Sequence, residues 1–190
     1  MIFLCIYAFA QEERDWTSNI DITLKTGIGG TGFTSSVEQA NSPIAFRTGI
    51  SFDIPFSQKI GLQPSLFYTY KGTKIKEPTD INCRLGYIDL PILFCFYSVI
   101  DKDNDYGLPE GPIMKWKIGP YIGYKLNGDI KNANAPTKKF DFGVSGGLDV
   151  IINRIVFSGE MSIGAIPVCK DYNGHRLHNT TLIISLGYKL

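Results

Sequence analysis

The sequence predicts an all-β fold, an eight-stranded antiparallel up-and-down transmembrane β-barrel, and three observations lead there. In segment 139–190 three consecutive stretches alternate apolar residues with polar or small ones for about ten positions each. Runs of that length exceed the usual soluble strand and match the roughly 9 to 11 tilted residues that cross a bilayer. The apolar faces of these runs carry no charge, as a lipid-facing surface requires, because a Lys or Arg at mid-membrane costs about 2–4 kcal/mol. A soluble lipocalin-like barrel needs the reverse, with its apolar side chains inside.

Composition agrees. A chain of 190 residues suits one domain, and a formal charge of +1 leaves no electrostatic footprint for nucleic acid. Mean hydropathy is +0.00, which suits apolar residues at every second position rather than the runs of about 20 that membrane helices need. Gly 20 and 13% aromatic residues fit strands that pack small groups inside and place rings at the interfaces.

Met1 to Ala10 reads as the remainder of a secretory signal: Ile2 to Phe9 is an apolar h-region and Ala8-Phe9-Ala10 a small-x-small site, which places cleavage before Gln11. No Lys or Arg precedes the run, so Met1 is expected to lie inside a longer signal. Residues 11–190 then form the barrel domain, with 11–18 a polar lead-in.

The strands follow in order. The first, about 19–29, turns Ile20, Ile22, Leu24 and Ile28 outward and Asp21, Thr23, Lys25 and Gly27 inward. The second, 44–54, turns Phe46, Ile50, Phe52 and Ile54 out and Arg47, Gly49, Ser51 and Asp53 in. The third, 60–71, places Leu62, Leu66, Tyr68 and Tyr70 opposite Gln63, Ser65, Thr69 and Lys71. The fourth, 84–96, sets Ile88, Leu90, Ile92, Phe94 and Phe96 against Tyr87, Asp89 and Pro91. The fifth, 114–127, sets Trp116, Ile118, Ile122, Tyr124 and Leu126 against Lys115, Lys117, Tyr121 and Lys125. The sixth carries Phe140, Phe142, Val144, Leu148, Val150 and Ile152 outside and Asp141, Gly143, Ser145, Gly147 and Asp149 inside. After an Asn153-Arg154 turn, Ile155, Phe157, Met161 and Ile163 alternate with Val156, Ser158, Glu160 and Ser162, and a final strand, 181–190, sets Leu182, Ile184, Leu186, Tyr188 and Leu190 against Thr181, Ile183, Ser185, Gly187 and Lys189.

The connections after strands two and six are short, and those after one, three, five and seven are long and polar, as in outer-membrane barrels with short periplasmic turns and longer external loops. The acidic 101–112 link departs from that rule. Pro64, Pro91 and Pro120 fall inside strands and each removes a ladder hydrogen bond, so bulges or bends are expected there.

The inward set predicts a lumen charge network of Asp21, Lys25, Arg47, Asp53, Asp89, Lys115, Lys117, Lys125, Asp141, Asp149 and Glu160, with Lys71 and Lys189 on the same side. Eight strands enclose just enough space for side chains to fill. Acids and bases in so narrow an interior are expected to pair, leaving a plug rather than a channel.

Gly61-Leu-Gln-Pro-Ser-Leu66, Leu85-Gly-Tyr-Ile-Asp-Leu-Pro91, Gly119-Pro-Tyr-Ile-Gly123, Phe140-Asp-Phe-Gly143 with Gly146-Gly147, and the closing Leu186-Gly-Tyr188 together resemble the PorT-like family of small outer-membrane barrels of Bacteroidetes. The resemblance implies an eight-stranded barrel in the bacterial outer membrane. By analogy with the family's named member, it also implies an association with protein secretion or gliding machinery.

Other chemistry is weakly signalled. His175 and His178 with Cys169 and Asp171 fit no tight ligand spacing, so no metal or cofactor is expected. No G-x-S-x-G nucleophile motif occurs, and Gly27 to Gly32 lacks the Lys-Ser/Thr of a phosphate-binding loop. After processing, Cys83, Cys95 and Cys169 remain, an odd number; Cys83 and Cys169 fall in loops on one side, where a disulfide across the mouth is open to them. The sequence therefore points to a non-enzymatic barrel acting through its loops, with outer-membrane lipid and other envelope proteins as partners; an outer-membrane lipid or peptide hydrolase and a small channel are the competing readings.

Overall fold

A computed structural model describes residues 20–34, 44–75, 81–99, 112–128, 130–131, 139–165, 169–170 and 176–190. Eight long strands form the wall: β1 (Asp21–Thr34), β2 (Ile44–Pro55), β3 (Ile60–Ile75), β4 (Ile81–Val99), β5 (Ile113–Asn127), β7 (Phe140–Ile152), β8 (Ile155–Gly164) and β10 (Arg176–Lys189). Two short strands accompany them, β6 (Ile130–Lys131) beside β4 and β9 (Cys169–Lys170) beside β10. Each long strand pairs antiparallel with its neighbour, and β10 returns to pair with β1, so the sheet closes and leaves no edge. The fold is an eight-stranded antiparallel barrel.

Register gives the stagger of that closure. Partners followed from Ile54 through Leu62, Phe94, Ile118, Gly146, Met161, Leu182 and Gly30 come back to β2 at Ile44, ten residues from the start. A stagger of this kind tilts the strands, typically by about 35–45°, which is why strands of ten or more residues are needed to cross the bilayer.

The two faces separate as the alternation requires. Ile28, Phe94, Trp116, Ile118, Phe140, Phe157, Leu182 and Ile184 are exposed on the outer wall, and no charged residue faces outward among the described side chains of the strands. In water this surface would be a severe aggregation hazard; in hydrocarbon it is the apolar band of about 25 Å that such barrels present. Tyr70 and Tyr124 stand near one end of the outer wall and Trp116 and Tyr188 near the other, while Tyr68 sits midway along β3. Tyr124 meets Phe140 edge to face at 5.2 Å.

The short turns, Phe56–Lys59 and Asn153-Arg154, lie at the end of the barrel that also holds Ile20 and Leu190. Asn153 adopts the left-handed φ of 53° that a two-residue hairpin requires at its first central position. β4 ends at Val99 and β5 begins at Ile113 at this same end, where the two pair as neighbours, so the length of the intervening sequence leaves the strand order unchanged.

Several boundaries differ from the sequence expectation. β1 continues to Thr34, β4 begins at Ile81 and β10 begins at Arg176. The Gly- and Thr-rich stretch after Gly29 reads as loop because it lacks apolar alternation, yet its backbone pairs with 178–182 and needs no side-chain pattern to do so. Cys83 and Cys169 accordingly lie in β4 and β9 rather than in loops. Their side chains, the proposed disulfide and the signal segment 1–10 lie outside the described residues.

The prolines interrupt the ladder without the bulges expected of them. Pairing lapses beside them, between Ser51↔Ser65 and Ile54↔Leu62, between Pro64↔Ile92 and Phe67↔Asp89, and between Pro91↔Tyr121 and Phe94↔Ile118. The register on either side of each lapse is the same, so no residue is inserted. The irregularity sits at Gly86/Tyr87 instead. Continuing the β4–β5 register places Ile92 between Pro64 and Pro120, so those two missing donors fall along one row and the ladder is weakened once rather than at scattered points.

Candidate functional site: the lumen charge network

Inward-facing residues of all eight long strands fill the barrel. The buried charges are Lys25, Arg47, Lys71, Lys115 and Lys117 against Asp53, Asp89, Asp141, Asp149 and Glu160. Among the described residues five buried cations face five buried anions, so this set is balanced in formal charge. That balance matters because each ion taken from water costs several kcal/mol, recovered only where partners are close and hydrogen-bonded.

The network has two tiers. On the turn side, Asp149 receives Lys25 at 2.8 Å, Lys115 at 3.1 Å and Lys117 at 2.8 Å, and accepts the Ser158 hydroxyl. Lys115 reaches across to Asp53 at 2.8 Å, where Gln63 also donates at 2.8 Å. On the loop side, Lys71 lies 3.8 Å from Asp89 and 3.5 Å from Asp141, with its ammonium over the rings of Tyr87 and Tyr121. The Asp141 carboxylate accepts from Tyr121 at 3.2 Å and Asn179 at 3.0 Å.

Glu160 joins the tiers. It takes Arg47 from the loop side and Lys117 at 3.0 Å from the turn side, and Ser145 donates to it at 3.3 Å. Arg47 stacks over Phe67 at 5.2 Å, donates to Thr69 at 3.1 Å and lies 3.6 Å from Asp89. Two further residues of the sequence-derived set lie toward the barrel ends. Asp21 pairs with Lys189 at 2.8 Å on the half-exposed turn-side rim, and Lys125 is half-buried near the loop-side end of β5.

Sequence reasoning missed the neutral part of the filling. Ala45, Phe67, Leu85, Leu93 and Cys95 are buried inside, and with Val156, Ile183, Tyr87 and Tyr121, whose inward parity was evident, they close the space between charges. Strict alternation counts inward apolar residues as exceptions, so only parity on each strand could have placed them. Asn179 was also unmarked, and the inward Gln63 and Ser158 were not read as carboxylate partners, since a neutral polar side chain carries no sign of the charge it will meet.

The arrangement immobilises charge rather than exposing it. Ser158 lies beside Lys117 at 3.3 Å and Asp149, a grouping that could suggest a nucleophile, but Ser158 is buried and the Lys117 ammonium is held by two carboxylates. As an ammonium paired with both acids, Lys117 has no lone pair with which to take the Ser158 proton. His178 Nδ1 contacts the Gly164 carbonyl at 3.1 Å, and among the described residues no cluster of His, Cys, Asp and Glu suits a metal.

Comparison with known proteins agrees with this architecture. Ail, the attachment invasion locus protein of Yersinia pestis, aligns over 90% of this chain and 99% of its own at 13% identity and a TM-score of 0.51 in a structure with the heparin analogue sucrose octasulfate. OprG from Pseudomonas aeruginosa aligns over 91% and 97% at 12% identity and a TM-score of 0.51. The outer membrane enzyme PagL aligns over 87% and 98% at 10% identity and a TM-score of 0.55. At these identities the likeness is one of fold. No curated protein matches the chain. A family model matches residues 9–168, and the chain belongs to the outer membrane protein beta-barrel domain family of the bacterial outer membrane.

Proposed function

We propose that the protein is a closed, non-catalytic scaffold of the outer membrane that works by presenting its loop-side segments, 35–43, 76–80, 128–139 and 165–175, to other envelope components. The observation that carries this reading is the lumen: five buried bases and five buried acids, packed with aromatic and aliphatic side chains, occupy the interior that a channel would need open. A rigid, neutral plug serves a barrel whose task is to hold loops in fixed relation. The motifs shared with PorT-like barrels support placing it among proteins that serve secretion or gliding machinery.

The experiment exchanges those four segments, with the short β6 and β9 that they contain, for short Gly/Ser linkers and leaves the eight wall strands intact. The exchanged protein is expected to keep the heat-modifiable migration of a folded barrel while losing crosslinks to envelope proteins and any secretion or motility phenotype that the complete chain restores to a deletion strain. Full restoration by the loop-exchanged barrel would refute the scaffold reading.

A further inference from the structure

On the outer wall, Gly146 of β7 and Gly159 of β8 face outward between large neighbours. Gly146 pairs with Ile118 and Met161, and Gly159 pairs with Leu148 and Ile184. The gap they leave is a recess of about 540 Å³ walled by Phe96, Trp116, Ile118, Leu148, Met161 and Leu182.

Neither glycine is demanded by the backbone. A Cβ at Gly159 would meet nothing within 4 Å, and one at Gly146 would meet the Lys117 carbonyl at 3.3 Å with the next atoms at 3.7 Å. Inward glycines are different: at Gly29, Gly49 and Gly143 a Cβ would lie 1.8 to 2.1 Å from a neighbouring strand's carbonyl oxygen. Glycine weakens a strand interior, so two sterically unnecessary glycines in adjacent outward rows are explained by the recess they make.

We propose that this recess binds one acyl chain of a glycerophospholipid from the periplasmic leaflet. The outward side chains of the wall are uncharged and continuous with the lipid-facing belt, while Lys117 and Glu160, which also border it, bury their side chains in the lumen, so its occupant is hydrocarbon. A volume of about 540 Å³ is that of a site for one small apolar ligand, whereas a helix about 10–12 Å across cannot enter it. Phe96 and Trp116 stand three residues from the turn-side ends of β4 and β5, and Leu148 and Gly159 four residues from the β7–β8 turn. The short-turn end of such barrels is periplasmic, which places the recess within reach of chains from that leaflet.

Trp116 supplies the readout. The full chain carrying Trp16→Phe retains Trp116 as its single tryptophan, and is titrated in detergent with dioleoyl phosphatidylglycerol brominated on its acyl chains. Trp116 emission should be quenched saturably at one lipid per chain, and native mass spectrometry should show one retained phospholipid. Gly146→Leu with Gly159→Leu should lose most of the quenching and the retained lipid while keeping heat-modifiable migration. Gly159→Leu alone, at the position with open space, provides the same comparison if the double variant does not fold. Equal, non-saturating quenching in wild type and variants would overturn the proposal. So would retention of free fatty acid or lipopolysaccharide in place of phospholipid, or a Gly159-dependent dimer.

Discussion

Asp149→Asn is the sharpest perturbation of the lumen, because it removes one charge from the centre of the turn-side tier without changing side-chain shape. Asp149 holds three ammonium groups at 2.8 to 3.1 Å. Two of them keep another acid, Lys115 with Asp53 at 2.8 Å and Lys117 with Glu160 at 3.0 Å. Lys25 keeps none among the described residues, so the substitution strands one cation at 4% exposure. Removing one partner of a buried pair costs about 3–5 kcal/mol; the isosteric amide leaves no cavity, so the loss should fall near the lower end of that range. Removing the stranded ion as well should recover part of it: Lys25→Met with Asp149→Asn should be about 1–3 kcal/mol more stable than Asp149→Asn alone, because no uncompensated charge is then left buried. Equilibrium urea unfolding in detergent, followed by tryptophan emission and heat-modifiable migration, measures all three. An Asp149→Asn variant within about 0.5 kcal/mol of wild type, the range of surface changes, would refute the paired-lumen argument.

Two further outcomes follow from the geometry. Glu160→Ala should lower the unfolding midpoint by more than Lys59→Ala, since Glu160 joins Arg47 to Lys117 inside the barrel whereas Lys59 is exposed on a turn where solvent screens its charge; the same unfolding titration checks it. Gly49→Ala should abolish or severely slow folding, because its Cβ would lie 2.1 Å from the Leu66 carbonyl oxygen, while Gly159→Ala should fold as well as wild type or better; the folded fraction on unheated gels distinguishes them.

The faces of the strands were legible in the sequence because period-two alternation survives wherever one side meets hydrocarbon. Phe140 to Ser145 and Ile155 to Ile163 alternate in burial residue by residue for that reason. Strand ends were not: Gly30 to Thr34 and Arg176 to Thr180 pair through the backbone without an apolar pattern. The partners of the buried charges were likewise invisible. Lys25 meets Asp149 across 124 residues and Arg47 meets Glu160 across 113, contacts set by the ten-residue stagger of the closed barrel rather than by any local spacing. Lys71 shows the limit most clearly, since its inward position was evident while its place between Asp89, Asp141 and two tyrosine rings depends on three other strands.

The central claim, a barrel sealed by a neutral network of side chains, is tested most directly by conductance. Purified full-length protein inserted into planar bilayers should show no steady ion current at low or high salt, while a variant lacking the plug's centre, Lys117→Ala with Glu160→Ala, should leak if it still folds. A stable open channel in the wild type would contradict the account and replace the scaffold by a pore.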